Sequence, residues 1–247
     1  MPTEPRYFVW TESFTVKAFE IDTDGHILLS ALANYMQDAA GNHAARLGFS
    51  MESMVANNQG WVLNRFTIRM TRYPKSGETI RIETWPSGAD RLFGWRDFDL
   101  YDADGNHILA ARTGWIILDI ARRRPIPTPE AVQRVGAANK RFANVEVAKR
   151  LPKIETEPDT EVPFRVRRAD LDIMRHVNNV RYMEWVLEAM GGGLEPARPE
   201  YIDIQFKAES TYGDRVIAEQ HPPTSDGRMY RIRLDGEEKE LAVALIR

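Results

Sequence analysis

Asp170-Leu171-Asp172-Ile173-Met174-Arg175-His176-Val177-Asn178-Asn179 packs two carboxylates, a histidine and two asparagines into ten residues. A helical apolar pattern follows from Val180 to Met190, and Gly191-Gly192-Gly193 stops it. Acid, base and amide groups thus precede a helix N-terminus, where free N–H groups and the helix dipole stabilise negative charge. At neutral pH His176 can donate a hydrogen bond to a carbonyl oxygen or exchange a proton. Asp172 is the better acid candidate, facing the loop that His176 closes, whereas Asp170 is solvated or paired with Arg167 or Arg168. Asn179 reads as the helix N-cap. Either Asn178 or Asn179 can present an amide or a backbone N–H to a ligand oxygen, as an oxyanion hole does.

The pattern occurs twice. Sliding residues 14–41 onto 164–191 without a gap aligns Phe14 with Phe164, Val16 with Val166, Asp22 with Asp172 and His26 with His176. Ala39 falls on Ala189 and Gly41 on Gly191. Strand, acidic loop, histidine and helix recur in the same order, and that order gives the alignment its force. Residues 7–20 are β-rich and 21–30 form a loop, with Ser30 placed to cap the following helix. Leu32, Tyr35, Met36, Ala39 and Ala40 recur at helical spacing over about 31–47, and Gly48 is a natural stop. Residues 61–73, 78–85, 92–101 and 107–119 read as strands, with turns at 74–77 and 102–105. In the second half 201–211, 215–219, 228–234 and 240–246 continue the echo. The chain is therefore read as α+β, each copy a long helix wrapped by a curved antiparallel sheet. The expected divisions are 1–120, a proline- and charge-rich linker at 121–163 whose 130–145 portion is helical, and 164–247.

Composition narrows the function. With 247 residues, 43% of them hydrophobic, the chain can bury a substantial core. Its 33 basic and 36 acidic side chains are interspersed, which gives no electrostatic case for nucleic acid or an anionic membrane. No apolar run approaches the roughly 18 residues of a membrane span, and the first residues lack the basic-then-apolar order of a secretion signal. A cytoplasmic protein is the simplest reading. Without cysteine there is no disulfide, thiolate ligand or thiol nucleophile. The five histidines show no metal-ligand spacing, and the glycine run follows a helix instead of opening one, so neither metal nor cofactor is expected.

Glu209 is the second acid. Ile204, Phe206, Ala208 and Ser210 alternate with Gln205, Lys207 and Glu209, so Glu209 is expected on the strand face away from Ile204. The repeat puts this strand beside the helix that His176 opens, where a carboxylate can activate a water. In the first copy Tyr73 occupies the place of Glu209, and His26 is followed by Ile27-Leu28-Leu29-Ser30 in place of polar donors.

Asp170-Leu171-Asp172 followed by His176-Val177-Asn178-Asn179-Val180-Arg181-Tyr182 resembles the signature of the acyl-acyl-carrier-protein thioesterases, bacterial relatives of the plant plastid enzymes. Asn42-His43, Leu47-Gly48, Trp115 with Asp119, Arg122-Arg123-Arg124-Pro125 and Tyr212-Gly213-Asp214 extend the resemblance over nearly the whole chain. It implies a tandem pair of hotdog domains that hydrolyses a fatty acyl thioester on acyl carrier protein. It also implies catalytic roles for Asp172, His176 and Glu209. Met174 stands where the family has an asparagine, and a thioether donates no hydrogen bond. Backbone N–H groups after His176, or Asn178, are the expected replacements at the thioester oxygen. Ser210 stands where plant relatives carry a cysteine. The expected mechanism is direct hydrolysis with Glu209 as base, or attack by a carboxylate through an anhydride. The first copy then becomes the acyl-pocket half, lined by Leu32, Tyr35, Met36 and Trp61. An acyl-coenzyme A thioesterase and a non-catalytic acyl-thioester binder are the alternatives, and a homodimer is compatible with either.

Overall fold

The computed structural model describes residues 9–191, 193–237 and 239–247, so Tyr7, Phe8 and Gly192 lie outside the described residues. The chain divides into two compact units, Met1–Val145 and Glu146–Arg247.

In the first unit β1 (Trp10–Thr15) leads through a loop to α1 (Leu29–Arg46) and a short α2 (Met51–Ala56). Then come β2 (Gln59–Met70), β3 (Thr79–Ala89), β4 (Phe93–Tyr101) and β5 (His107–Asp119). β6 (Arg124–Ile126) and α3 (Glu130–Ala138) complete it. The strands are antiparallel in the order β1-β3-β4-β5-β2, with β6 on β5. Leu32, Met36, Ala39 and Ala40 of α1 are buried, as their helical spacing predicts, and the helix packs on β1 and β3. Each fully buried Leu or Met there is worth about 1.5–3 kcal/mol over exposure. The start of α1 differs from expectation. Ser30 is buried in the first turn and Leu28 is the N-cap residue, without a side-chain cap. The Leu28 N–H is already held by the Glu20 carbonyl at 2.8 Å, which fixes the helix start two residues earlier.

The stretch 121–163, expected as a linker, carries β6, α3 and a strand of the second unit. Its first part is tied to the first unit. A Cβ on Gly136 would lie 2.7 Å from the Gly88 carbonyl carbon, so only glycine permits this approach of α3 to β3. The Trp85 indole donates to the Arg141 carbonyl at 2.7 Å, and the Ala143 N–H donates to buried Asp97 at 2.8 Å. Of the charges in this stretch, the Arg141 guanidinium binds Glu83 of β3 and Asp99 of β4 at 2.6 Å each.

In the second unit β7 (Thr160–Arg165), a 3-10 turn (Arg168–Asp170) and α4 (Asn179–Ala189) precede β8 (Tyr201–Phe206), β9 (Arg215–Thr224), β10 (Gly227–Leu234) and β11 (Glu240–Ile246). Their order, β7-β9-β10-β11-β8, repeats that of the first unit strand for strand. Each unit is thus a helix on an antiparallel sheet, the α+β arrangement the repeat predicts. β8 is shorter than the expected 201–211. Lys207 and Ala208 both direct their N–H groups at the single Leu241 carbonyl, at 2.8 and 3.2 Å, and the ladder ends. Glu209 therefore stands on the loop after β8, and strand alternation does not set its direction. Among the described residues no helix is long and apolar enough to cross a membrane.

Candidate active site

The loop from Asp170 to Asn178 is built by its own carboxylates. Asp170 is 1% exposed. Its Oδ2 accepts the Arg167 backbone N–H at 2.7 Å, its Oδ1 accepts the Arg167 guanidinium at 2.8 Å, and Arg181 lies 3.9 Å away. Burial pushes the Asp170 carboxyl up, but these hydrogen bonds and the two positive charges outweigh it and leave it below the usual carboxylate range. The Asp170 carbonyl accepts the Asn178 N–H at 2.9 Å, which sets the start of α4. Asp170 is a buried brace, paired as one of the two sequence alternatives had it.

Asp172 organises the tip. Its N–H donates to the His176 carbonyl at 2.8 Å, and its Oδ1 accepts the N–H groups of Met174 at 2.8 Å and His176 at 3.2 Å. Arg175 consequently sits at φ +65°, a left-handed conformation that favours glycine. The first copy makes the same loop with Asp22, which binds Asp24 and His26 through Oδ1 at 2.9 and 3.0 Å, and Gly25 fills the left-handed position at φ +83°. Ile173 and Met174 are 80% and 52% exposed at the tip.

His176 and Glu209 come together. The ring Nδ1 lies 3.3 Å from Glu209 Oε1, with the histidine side chain 30% and the glutamate 46% exposed. Backbone pairing brings this about: His176 bridges Thr211, and the Val177 N–H donates to the Ser210 carbonyl at 3.0 Å. Such a pair, half in water and at a helix start, can move a proton and stabilise the charge that the transfer creates. In the first copy His26 bridges Lys75 in the equivalent register, which puts Tyr73 where Glu209 stands. The His26 Nδ1 is buried there without a hydrogen-bond partner.

The amides are allotted differently from the sequence expectation. Asn178, not Asn179, is the N-cap, its side chain accepting the Val180 N–H at 3.0 Å. The Asp170 carbonyl decides this by fixing the Asn178 N–H outside the helix. The N–H groups of Val177 and Asn178, two expected replacements for the missing asparagine, are therefore both taken. The Asn179 N–H, first in α4, has no partner among the described residues. Met174 contributes its N–H to the loop and its side chain to the surface.

Two buried residues of the site drew no functional reading from sequence. Tyr182 on α4, 2% exposed, meets Ser210 Oγ at 2.8 Å and accepts the Ser210 N–H at 3.0 Å. The signal that would have found them is the repeat, since the first copy has Leu32 and Pro74 at these places.

The residues expected to line an acyl pocket lie in the first unit. Leu32 and Met36 are fully buried. Cross-strand register puts Trp61 on one sheet face with Leu63, Trp115, Gly94, Arg96 and Thr113, and Arg96 reaches His43 of α1 across that face at 3.1 Å. Tyr35 turns to the edge, stacked on Phe14 at 4.5 Å and donating its hydroxyl to Glu20. Burial and that carboxylate both push the Tyr35 phenol well above its ordinary range. Among the described residues no group of three or more His, Asp or Glu is placed to hold a metal ion.

Comparison with known proteins adds the family. The acyl-ACP thioesterase N-terminal domain model matches residues 8–135, and the C-terminal domain model matches 154–245. The chain is 30% identical to the chloroplastic oleoyl-acyl carrier protein thioesterase 2 of Arabidopsis thaliana, over 74% of this chain and 54% of that protein. It is 27% identical to the palmitoyl-acyl carrier protein thioesterase of the same plant, over 81% of this chain and 52% of that one. The chain thus spans about half the length of these curated relatives. An acyl-ACP thioesterase from Bacteroides thetaiotaomicron, known from its crystal structure, shares the fold at 24% identity and a TM-score of 0.84, with 96% of each chain covered. With two consecutive domain models matched along most of its length, the chain belongs to the acyl-ACP thioesterase family.

Proposed function

We propose that this protein hydrolyses fatty acyl thioesters of acyl carrier protein and releases the free fatty acid. The observation that carries the reading is the 3.3 Å contact of His176 Nδ1 with Glu209 Oε1 at the start of α4. With Nδ1 facing the carboxylate, the neutral ring presents Nε2 as a proton acceptor. Water attacks the thioester carbonyl carbon, its proton passes to Nε2, and Glu209 stabilises the imidazolium that forms. This revises the sequence expectation, in which Glu209 itself was the base. The tetrahedral oxygen takes its charge at the helix N-terminus, where the Asn179 N–H is available. When the C–S bond breaks, the imidazolium returns the proton to the leaving thiolate. Asp172 acts by holding the loop that carries His176, a part Asp22 plays equally in the copy that lacks the glutamate. The first unit, with Leu32, Met36 and Trp61 on its helix-facing side, takes the acyl chain.

Thiol release from acyl carrier proteins bearing short to long chains tests this. His176→Ala and Glu209→Ala are each expected to lower kcat/KM by at least about 10². Full turnover in both variants would overturn the site. Turnover confined to coenzyme A substrates would leave the chemistry and replace the carrier, and binding of every substrate without turnover would make the protein a binder.

A further inference from the structure

We infer that Tyr182 is a positioning residue for the His176–Glu209 pair, acting through the backbone of Ser210. The inference rests on the proposed function only for its kinetic readout. The Tyr182 ring is enclosed by Trp185 and Phe206, edge-on at 5.3 and 6.1 Å. A phenol hydroxyl at such depth costs stability unless it is hydrogen-bonded. Both of its bonds go to one residue, Ser210, itself 1% exposed. Burial pushes the Tyr182 phenol up, with the Ser210 hydrogen bonds pulling the other way, so it stays a neutral hydroxyl at neutral pH. On its other side the Ser210 carbonyl accepts the Val177 N–H. The peptide unit after Glu209 is thus held from α4 at its N–H, and the Ser210 carbonyl is held by the residue after His176. Glu209 is half-exposed on a loop beyond the end of β8, one residue before the backbone held in this way.

The first unit shows that the fold does not need this bond. The Ile27 N–H still donates to the Pro74 carbonyl at 2.8 Å, matching Val177 to Ser210. Pro74 has no N–H to satisfy, and Leu32, fully buried where Tyr182 would be, has no hydroxyl. Both partners are absent together in the copy where Tyr73 replaces Glu209 and His26 Nδ1 is unpartnered. Hydroxyl, serine N–H and glutamate occur as a set. A bond that served packing alone would not be expected to follow the carboxylate.

Two variants test the inference on the full chain. Tyr182→Phe keeps the ring and removes the hydroxyl. The double variant Tyr182→Leu/Ser210→Pro installs the pair with which the first unit already packs. In both, kcat is expected to fall by about 10 to 10²-fold with KM within about twofold, the scale of a small misplacement of a catalytic group. In both, ¹⁵N NMR of the His176 ring should shift the Nδ1 signal toward that of Glu209→Ala, which has no acceptor to meet Nδ1. If Tyr182→Phe lowers the melting temperature but leaves kcat and the His176 ring signals as in the wild type, Tyr182 is a core residue and the inference is overturned. If the wild type releases no thiol, the proposed function fails, and the ring signals alone decide the role of Tyr182.

Discussion

Asp170 shows how a carboxylate in a functional stretch can be wholly structural. It is fully buried, it is bound to the backbone and guanidinium of Arg167, and its own carbonyl fixes Asn178. Asp170→Ala removes hydrogen bonds to a charged acceptor and leaves the Arg167 N–H without its partner, at an expected cost of about 2–3 kcal/mol. Urea denaturation at pH 7 measures it, and a loss below about 0.5 kcal/mol would contradict the brace. His176 and Glu209 differ from Asp170 in keeping water access, the condition for exchanging protons with a substrate. Identity and spacing in the sequence single out all three side chains. Burial alone separates the brace from the pair.

At the scale of the loop and its helix, the two copies are one design with different fittings. Both loops close through an aspartate that binds the N–H groups two and four residues on, and both need a left-handed residue before the histidine. Gly25 meets that need without strain and Arg175 does not, a conformation costing an L residue about 1–2 kcal/mol. Arg175→Gly is therefore expected to raise stability by up to about 1 kcal/mol, once the greater unfolded-state freedom of glycine is set against the relief. A destabilised variant would show that the arginine side chain makes a compensating contact. The helix starts differ more sharply. Leu28 caps nothing with its side chain, whereas Asn178 accepts the Val180 N–H. Asn178→Ala should cost about 1 kcal/mol, read as a lower denaturation midpoint. His26 and Lys75 are 49 residues apart and His176 and Thr211 are 35 apart, so the second copy spans 14 residues fewer between equivalent bridges. α4, with 11 residues against 18 in α1, and β8, with 6 against 12 in β2, absorb all but one residue of that difference.

At the scale of the whole molecule, the buried ion cluster around Glu219 is expected to make stability depend on acid pH. Glu219 is 1% exposed, ion-paired with Arg231 and Arg233, and 3.3 Å from His221. Burial pushes its carboxyl up, and the two guanidinium groups more than reverse this, leaving it below its ordinary range. A carboxyl lowered on folding stabilises the folded chain above its unfolded pKa, about 4.3, and loses that contribution as pH falls through the lowered folded value. Glu219→Gln should lower stability at pH 7 by about 2 kcal/mol and flatten the pH dependence below about pH 4.3. A variant that keeps the wild-type acid profile would assign the acid sensitivity elsewhere. Much of the architecture was legible beforehand, because periodicity, turn residues and the 150-residue offset are local patterns that burial on one face imposes. β5 and β11 match their expected bounds to the residue. The sequence by itself also determined which copy carries Glu209 and which carries Tyr73. Only the tertiary structure decided that β8 stops before Glu209, that Asn178 takes the cap, and that the prolines and charges after Arg122 partly belong to the first unit. It alone placed the Tyr182 hydroxyl on Ser210, 28 positions away. Each of these outcomes depends on which N–H or carbonyl group was already taken by a distant partner, and no local pattern records that.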